Sequence, residues 1–417
     1  MARVMWIRVV ALGGNVCSGL LTAAWLGPAG RGEQAALVVA PTVLAALCTL
    51  GLHASLIYNL RADPEEGGRY FGAAMILTCA TGLAATAIGF LLLPEWLGRY
   101  SSGTVTFARL LLFAVPFGVV TPLLSGVLEA NGQFALANRV LYFQSLGALA
   151  TLLLLAAFGL LTPISAAAAY FVPTVPSFLF LLARAQAVLR PRFTVAAPYP
   201  RRLLRYGIRF YGVDILGAMS GYLDQVVIVF LLQPAAVGAY AVALSLSRVL
   251  NVAQGAIATV LFPSIAAREA ASVVATVARA MRVTTVVNAT GAMAIGVAGP
   301  SLLLLLYGTR FAAAVLPFQV LLIEAVVSSA ARTLAQAFSG TGRPSVVTGV
   351  EVAGVTTSLA TMLVLVPAYG IVGAAGATLL GGMVRLSCVL VSFRKVLGID
   401  LPRLLISRAD VAWMAGR

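Results

Sequence analysis

Six arginines stand inside stretches otherwise too apolar to hold a charge: Arg8, Arg109, Arg209, Arg248, Arg332 and Arg385. A guanidinium is permanently ionised and presents its donors as a planar fork. Its chemistry is therefore bidentate capture of phosphate or carboxylate, not proton transfer. At the centre of a bilayer each would cost roughly 2.5–3.5 kcal/mol. Arg8 and Arg209 lie close to one predicted membrane boundary and Arg109 close to the other, where the side chain can snorkel to water and needs no further role. Arg248, about eleven residues into its stretch, and Arg332 and Arg385 are deeper, and lipid is a poor environment for them.

The acidic counterparts are fewer. Asp214, Asp224 and Glu324 lie inside apolar stretches, and Glu129 and Glu351 near their ends. Six internal cations against three internal anions leave an excess of three, more than a set of structural ion pairs would carry. A water-filled, net cationic cavity follows, and its complementary cargo is an anion. Arg8, Arg209, Arg248, Arg332 and Arg385 are the candidate binding residues. Asp214, Asp224, Glu324 and His53 are candidates for ion coupling or gating, His53 because imidazole titrates near neutral pH. Ser245, Arg248, Asn251 and Gly255 share roughly one helical face, with Gln254 nearby; so do Asp214, Gly217, Gly221 and Gln225. Bland readings stand beside these. The glycines suit close helix packing, Arg248 and Glu324 suit a structural pair, and a lone histidine suits a hydrogen-bonded filler. Tyr211 and Tyr222 suit sugar stacking, but also packing or interface anchoring.

The elements that must hold these residues are membrane helices. Of 417 residues 61% are hydrophobic and 10% charged, against about 25% charged in an ordinary soluble domain; mean hydropathy is +1.00. That composition excludes a soluble enzyme, a disordered chain and a secreted disulfide scaffold. Net charge is +15, from 28 basic and 13 acidic residues. In a membrane protein this reflects basic loops that fix topology, so no nucleic-acid partner is expected. The four cysteines, Cys17, Cys48, Cys79 and Cys388, sit in apolar runs without ligand spacing. With one histidine and one lysine, Lys395, the chain has neither a metal-ligand cluster nor a GxxxxGK[ST] phosphate loop. No cofactor is expected beyond a coupling Na+ or H+, and no metal site.

A spanning helix needs about 20 residues. Apolar runs read against Pro, Gly and charge give twelve spans: 4–26, 33–58, 70–93, 104–128, 140–161, 164–187, 206–232, 237–262, 281–307, 313–338, 345–366 and 370–393. Pro173 and Pro176 predict a kink in the sixth. With the N-terminus inside, 19 basic residues fall in cytoplasmic segments and three (Arg31, Arg99, Arg310) outside, which places both termini in the cytoplasm.

The halves repeat in order. Leu26-Gly27-Pro28-Ala29-Gly30-Arg31-Gly32 returns as Leu232-Gln233-Pro234-Ala235-Ala236-Val237-Gly238, an offset of 206. Leu149-Ala150-Thr151 returns as Leu359-Ala360-Thr361, and Ala130-Asn131-Gly132-Gln133 occupies the place of Gly340-Thr341-Gly342-Arg343, both at 210. The offset covers an even number of spans, so the repeat is parallel. The expected fold is all-α, with twelve transmembrane helices in two six-helix bundles. They occupy 1–190 and 206–393, joined by a basic connector at 191–205 and followed by a cytoplasmic tail at 394–417.

WLGPAGRGEQAALVV (Trp25–Val39) and the stretch from YGIRFYG through YLDQVVIVFLLQPAAVGAYAVALSLSRV to LFPSIA (Tyr206–Ala266) resemble the polysaccharide (O-antigen type) flippases of the multidrug/oligosaccharidyl-lipid/polysaccharide exporter superfamily. The resemblance covers the whole chain. It implies that a lipid-linked oligosaccharide is moved from the cytoplasmic to the outer leaflet of a bacterial inner membrane, beside other polysaccharide-assembly proteins. A polyprenyl pyrophosphate would then be the anion the arginines meet. Alternatives are a multidrug cation antiporter, which should carry an acidic cavity, and a lipid II flippase, which usually has more helices than the twelve counted here. A membrane polymerase or ligase, which needs a sizeable catalytic loop, and a non-transporting scaffold are of other classes. No enzymatic activity is expected.

Overall fold

A computed structural model describes residues 2–250, 270–341 and 343–397. Among the described residues every regular element is a helix. The first half runs α1 (Ala2–Leu47), α2 (Leu52–Ala62), α3 (Gly67–Trp96), α4 (Ser102–Leu111), α5 (Val115–Ala130), α6 (Phe134–Ala157), α7 (Pro163–Phe171) and α8 (Thr174–Val188). It continues with α9 (Tyr199–Leu231), α10 (Pro234–Ser247), α11 (Ala270–Tyr307), α12 (Val315–Gly340) and α13 (Pro344–Leu397). Nine helical stretches among the described residues are long and apolar enough to cross a membrane. Their outward side chains are apolar: Leu91 is 78% exposed, Val297 79% and Leu305 79%. Such a surface is stable against lipid and not against water. The protein is a multi-pass membrane protein.

The punctuation has local causes. Gly27, at φ 66°, breaks α1, and Gly370, at φ 56°, breaks α13; both adopt a left-handed conformation that a side chain would strain. The loops expected at 27–32 and 367–369 are thus sharp bends within continuous helical stretches. The sixth span is divided at Pro173 into α7 and α8, and α7 starts from a capping box between Thr162 and Ser165. Several boundaries differ from expectation: the second span is interrupted between Leu47 and Leu52, and the ninth begins at Ala270 rather than 281. The seventh span begins at Tyr199 rather than 206, which makes Arg201, Arg202 and Arg205 helical. In the eighth, α10 ends at Ser247 and Arg248 lies in the turn that follows.

The chain forms two compact units, Met1–Gly238 and Ala239–Arg417. The first is centred on Leu52, Leu56, Phe71, Leu124, Val127 and Leu203, all almost fully buried. In it α9 packs on α1, α2 and α3. The second is centred on Val277, Met281, Leu334, Phe338, Val389 and Phe393, where α12 lies between α11 and α13.

One crossing in the first unit joins the repeated segments themselves. A Cβ on Gly32 would lie 1.7 Å from the Pro234 carbonyl oxygen, and one on Gly238 would lie 1.9 Å from that of Pro28. Each glycine touches the proline of the other copy of the motif. The obstacles are backbone atoms, so neither helix can yield locally. Gly238→Ala should therefore cost about 1–3 kcal/mol, the range for overpacking. Gly217→Ala, with no neighbour within 4 Å of the added carbon, should be neutral or slightly stabilising. Thermal unfolding of the purified variants checks the contrast.

Candidate functional site

The early start of α9 builds a site the hydropathy pattern hid. Arg202, Arg205 and Arg209 are spaced by 3 and 4 residues and so share one helical face. They line a cavity of about 400 Å³ between the first turns of α9 and the last turns of α2. From α2 come Tyr58 and Asn59, from the residue just after it Asp63, and from α3 Tyr70. The three guanidinium groups face one carboxylate, that of Asp63, so the cavity is cationic. Arg202 Nη1 donates to the Tyr70 hydroxyl at 2.8 Å. That bond, helped by the Asp63 charge, pushes the guanidinium further up from its already high pKa. Arg205 and Arg209 are exposed. Beside them runs an aromatic ladder: Tyr58 stacks on Tyr206 with centroids 4.0 Å apart, and Tyr206 on Phe210 at 5.1 Å. Forked cations next to stacked ring faces are the chemistry that binds a phosphate attached to a sugar.

The rim of the cavity is stapled. Tyr199 donates to Glu66 Oε2 at 2.6 Å, and Arg69 Nη1 donates to the same oxygen and to the Tyr199 hydroxyl, each at 2.8 Å. The connector is tied down by the Arg192 N–H, which donates to the Gly68 carbonyl at 2.7 Å. Hydrogen bonding from Tyr199, then the nearby Arg69 charge, holds the Glu66 carboxyl below the usual carboxylate range. A depressed pKa makes the staple fully present above the ordinary glutamate value of about 4.3 and lost as pH falls through the lower folded value. Spin labels at 65 and 197 should therefore keep one separation from pH 7 to about 5 and part only below the ordinary value. In Glu66→Gln the separation should not depend on pH.

His53, Glu129 and Asp214 come together lower in the same unit. His53 Nδ1 lies 2.7 Å from the Pro122 carbonyl. A carbonyl only accepts, so Nδ1 carries the proton and Nε2 faces Glu129 Oε2, 3.8 Å away. Gly126 leaves the room for the ring, since a Cβ there would lie 2.9 Å from Nδ1. Asp214, on α9, is within electrostatic reach of the imidazole. Asp224 is buried, and its Oδ1 accepts the Gln225 N–H at 2.8 Å.

The second unit holds a separate group of charges. Glu324, Ser328 and Arg332 follow one another at steps of four along α12. Glu351 and Arg385 stand on the two limbs of α13. Arg385 is buried, with Nε 3.2 Å from Glu351 Oε2 and Nη1 3.5 Å from Ser328 Oγ. Ser328 in turn donates to Glu324 Oε1. Half-buried Arg332 lies within electrostatic reach of Glu324, Glu351 and Arg385. Gly354 makes the crossing possible: a Cβ there would sit 2.3 Å from Arg385 Cγ.

The expected binding residues are therefore distributed. Arg209 lines the cationic cavity; Arg332 and Arg385 sit among carboxylates in the second unit. Arg248 occupies the turn after α10, while Asn251, Gln254 and Gly255 lie outside the described residues, as does the side chain of Arg8. Arg109 is exposed near the end of α4. Arg202, Arg205, Tyr58 and Tyr206 were assigned to no site from the sequence. The signal that reveals them is the arginine spacing 202, 205, 209, once Pro198-Tyr199 is read as a helix start.

The fold is shared with solved transporters. A lipid II flippase, MurJ, in an inward closed conformation superposes with a TM-score of 0.81 at 12% identity, over 94% of this chain and 88% of that one. An inward-facing multidrug resistance transporter of the MATE family gives 0.77 at 15% identity, over 93% and 94%. A transporter of the same superfamily from Pyrococcus furiosus, described as having a binding pocket of reversed polarity, gives 0.63 at 14% identity over 95% of each chain. No curated protein matches the chain by sequence. The model of one family matches residues 23–316, well over half the chain, and spans most of the segments whose motifs resemble the flippases: the chain belongs to the polysaccharide biosynthesis protein family.

Proposed function

We propose that the protein is a flippase. It carries a polyprenyl-pyrophosphate oligosaccharide from the cytoplasmic to the outer leaflet of a bacterial inner membrane by alternating access. The observation that carries this reading is the cavity in which Arg202, Arg205 and Arg209 face a stacked aromatic ladder. The guanidinium groups take the pyrophosphate, and the exposed Tyr58, at the end of the ladder, takes the adjoining sugar. A cationic pocket disfavours a cationic drug. In this reading the twelve spans form two six-helix bundles with both termini cytoplasmic, so the basic connector and the cavity face the compartment where the lipid-linked sugar is made. His53, Glu129 and Asp214 are the proton site through which a gradient gives transport its direction. Arg332 and Arg385, with their carboxylates, hold the helices of the second unit together.

Reconstitution tests it. Proteoliposomes carrying fluorescent polyprenyl-pyrophosphate oligosaccharide should expose the label to an external quencher only when the protein is present, with no change in glycan length. Lengthened glycans with unchanged sidedness would instead make the protein a polymerase. Extrusion of a cationic dye without movement of the lipid would make it a drug antiporter.

A further inference from the structure

A second cavity, of about 500 Å³, lies against the first. Its walls are Val195 and Ala197 of the connector and Pro200 and Leu204 of α9, with Arg201 and Arg205 at the edge. Arg205 lines both cavities. Helical geometry explains the sharing. Residues 202, 206 and 209 cover one face of α9 and residues 200, 201 and 204 the neighbouring face; at 100° per residue, 205 falls on the line between them. One side of that line is polar, cationic and aromatic, and the other is apolar. Val195 is 76% exposed and the adjacent Phe193 66%, so the apolar side opens outward instead of closing into the core.

We infer that the two cavities form one bipartite site for a lipid diphosphate, with Arg205 gripping the diphosphate at the junction, the headgroup in the first cavity and the initial units of the hydrocarbon chain against Val195, Pro200 and Leu204. The inference rests on the flippase reading and adds to it the place where the lipid tail leaves the headgroup pocket. Charge complementarity and continuity select the occupant. A free phosphate would leave the apolar groove empty, and an uncharged lipid would leave three arginines with only the Asp63 carboxylate among them. The stem of Arg205 can lie along the groove while its fork stays in the polar cavity. The connector thereby becomes part of the substrate site, and its stapling to α3 through Arg192 and Gly68 gives the groove a fixed wall.

Binding to the full-length protein in detergent tests the inference, with inorganic pyrophosphate, farnesyl diphosphate and dihexanoyl phosphatidylglycerol as probes. Farnesyl diphosphate should bind at least about tenfold more tightly than pyrophosphate, one order of magnitude being the gain from only a few buried methylenes. Val195→Asn and Leu204→Ser, which add no charge, should erase that gain while pyrophosphate, which does not reach the groove, still binds. Arg205→Ala should weaken both diphosphates about tenfold or more. Val195 lies in the exposed connector, so its substitution leaves the core intact. Equal affinity with and without the farnesyl chain would overturn the inference, as would a tail-dependent gain untouched by Val195→Asn. Phosphatidylglycerol binding as tightly as farnesyl diphosphate would also overturn it and mark an ordinary phospholipid contact. Movement of lipid-linked oligosaccharide in proteoliposomes is read separately. Transport without a tail-dependent gain sinks only the bipartite site; binding as described without transport sinks the flippase reading.

Discussion

Glu351→Ala will destabilise the second compact unit by about 3–5 kcal/mol, the usual penalty for breaking a buried ion pair from one side. The Arg385 side chain is only 7% exposed and would lose the carboxylate 3.2 Å from its Nε. It cannot swing aside, because its stem runs across the backbone at Gly354. A positive charge would remain in a low-dielectric interior beside a second one, Arg332. Replacing both partners by apolar residues of similar size, Glu351→Leu with Arg385→Met, should recover most of the loss, since the desolvation cost of both ions then disappears together. Thermal unfolding in detergent, compared as midpoints at one scan rate, reads both outcomes. A single variant as stable as the double variant would show that Arg385 does not depend on Glu351.

Arg209→Ala will slow transport of the lipid-linked sugar by about tenfold, and the combined replacement of Arg202, Arg205 and Arg209 by alanine by at least about a hundredfold. A hydrogen bond to a charged group contributes about 1.5–3 kcal/mol, roughly one to two decades in an equilibrium. The exposed setting of Arg205 and Arg209 places them at the lower end, because water and salt screen them. Arg209→Lys should restore only part of the rate, since an ammonium keeps the charge and loses the fork. Folding should be almost unaffected by Arg205→Ala and Arg209→Ala, whereas Arg202→Ala also removes the bond to Tyr70. Initial quenching rates in proteoliposomes give the transport effect and unfolding midpoints the control. Transport by the triple variant at the parent rate would remove this cavity from the pathway.

The architecture was legible in the sequence because bilayer spans are written in long runs. Apolar stretches, the prolines at 173 and 176 and the glycines at 27 and 370 mark helices and breaks without reference to distant partners. The cationic cavity was half legible. Arg209 was recognised because it falls just inside the predicted seventh span, but Arg202 and Arg205 were absorbed into a connector. Charges lower the local hydropathy, and a boundary set by hydropathy stops at Tyr206. The helix itself continues back to Tyr199, because its first turns are held by Glu66, Tyr70 and the stapled connector. The ion group of the second unit was illegible in its pairing. Arg385 and Glu351 lie 34 positions apart on limbs folded back at one glycine, and nothing in the spacing along the chain encodes that meeting. An excess of internal cations suggested a wet chamber; Arg332 and Arg385 have carboxylates nearby, and Arg202, Arg205 and Arg209 share one face at the start of α9.

The mutual embrace of Gly32 with Pro234 and of Gly238 with Pro28 has an evolutionary reading. A surface that meets its own counterpart is self-complementary, as two identical subunits are around a dyad. Within the first unit the glycine–proline patch is thus used twice, once from each copy of the repeated motif, as a half-length ancestor pairing with itself would use it. Separate expression of the two sequence repeats offers a way to ask whether that patch still joins them.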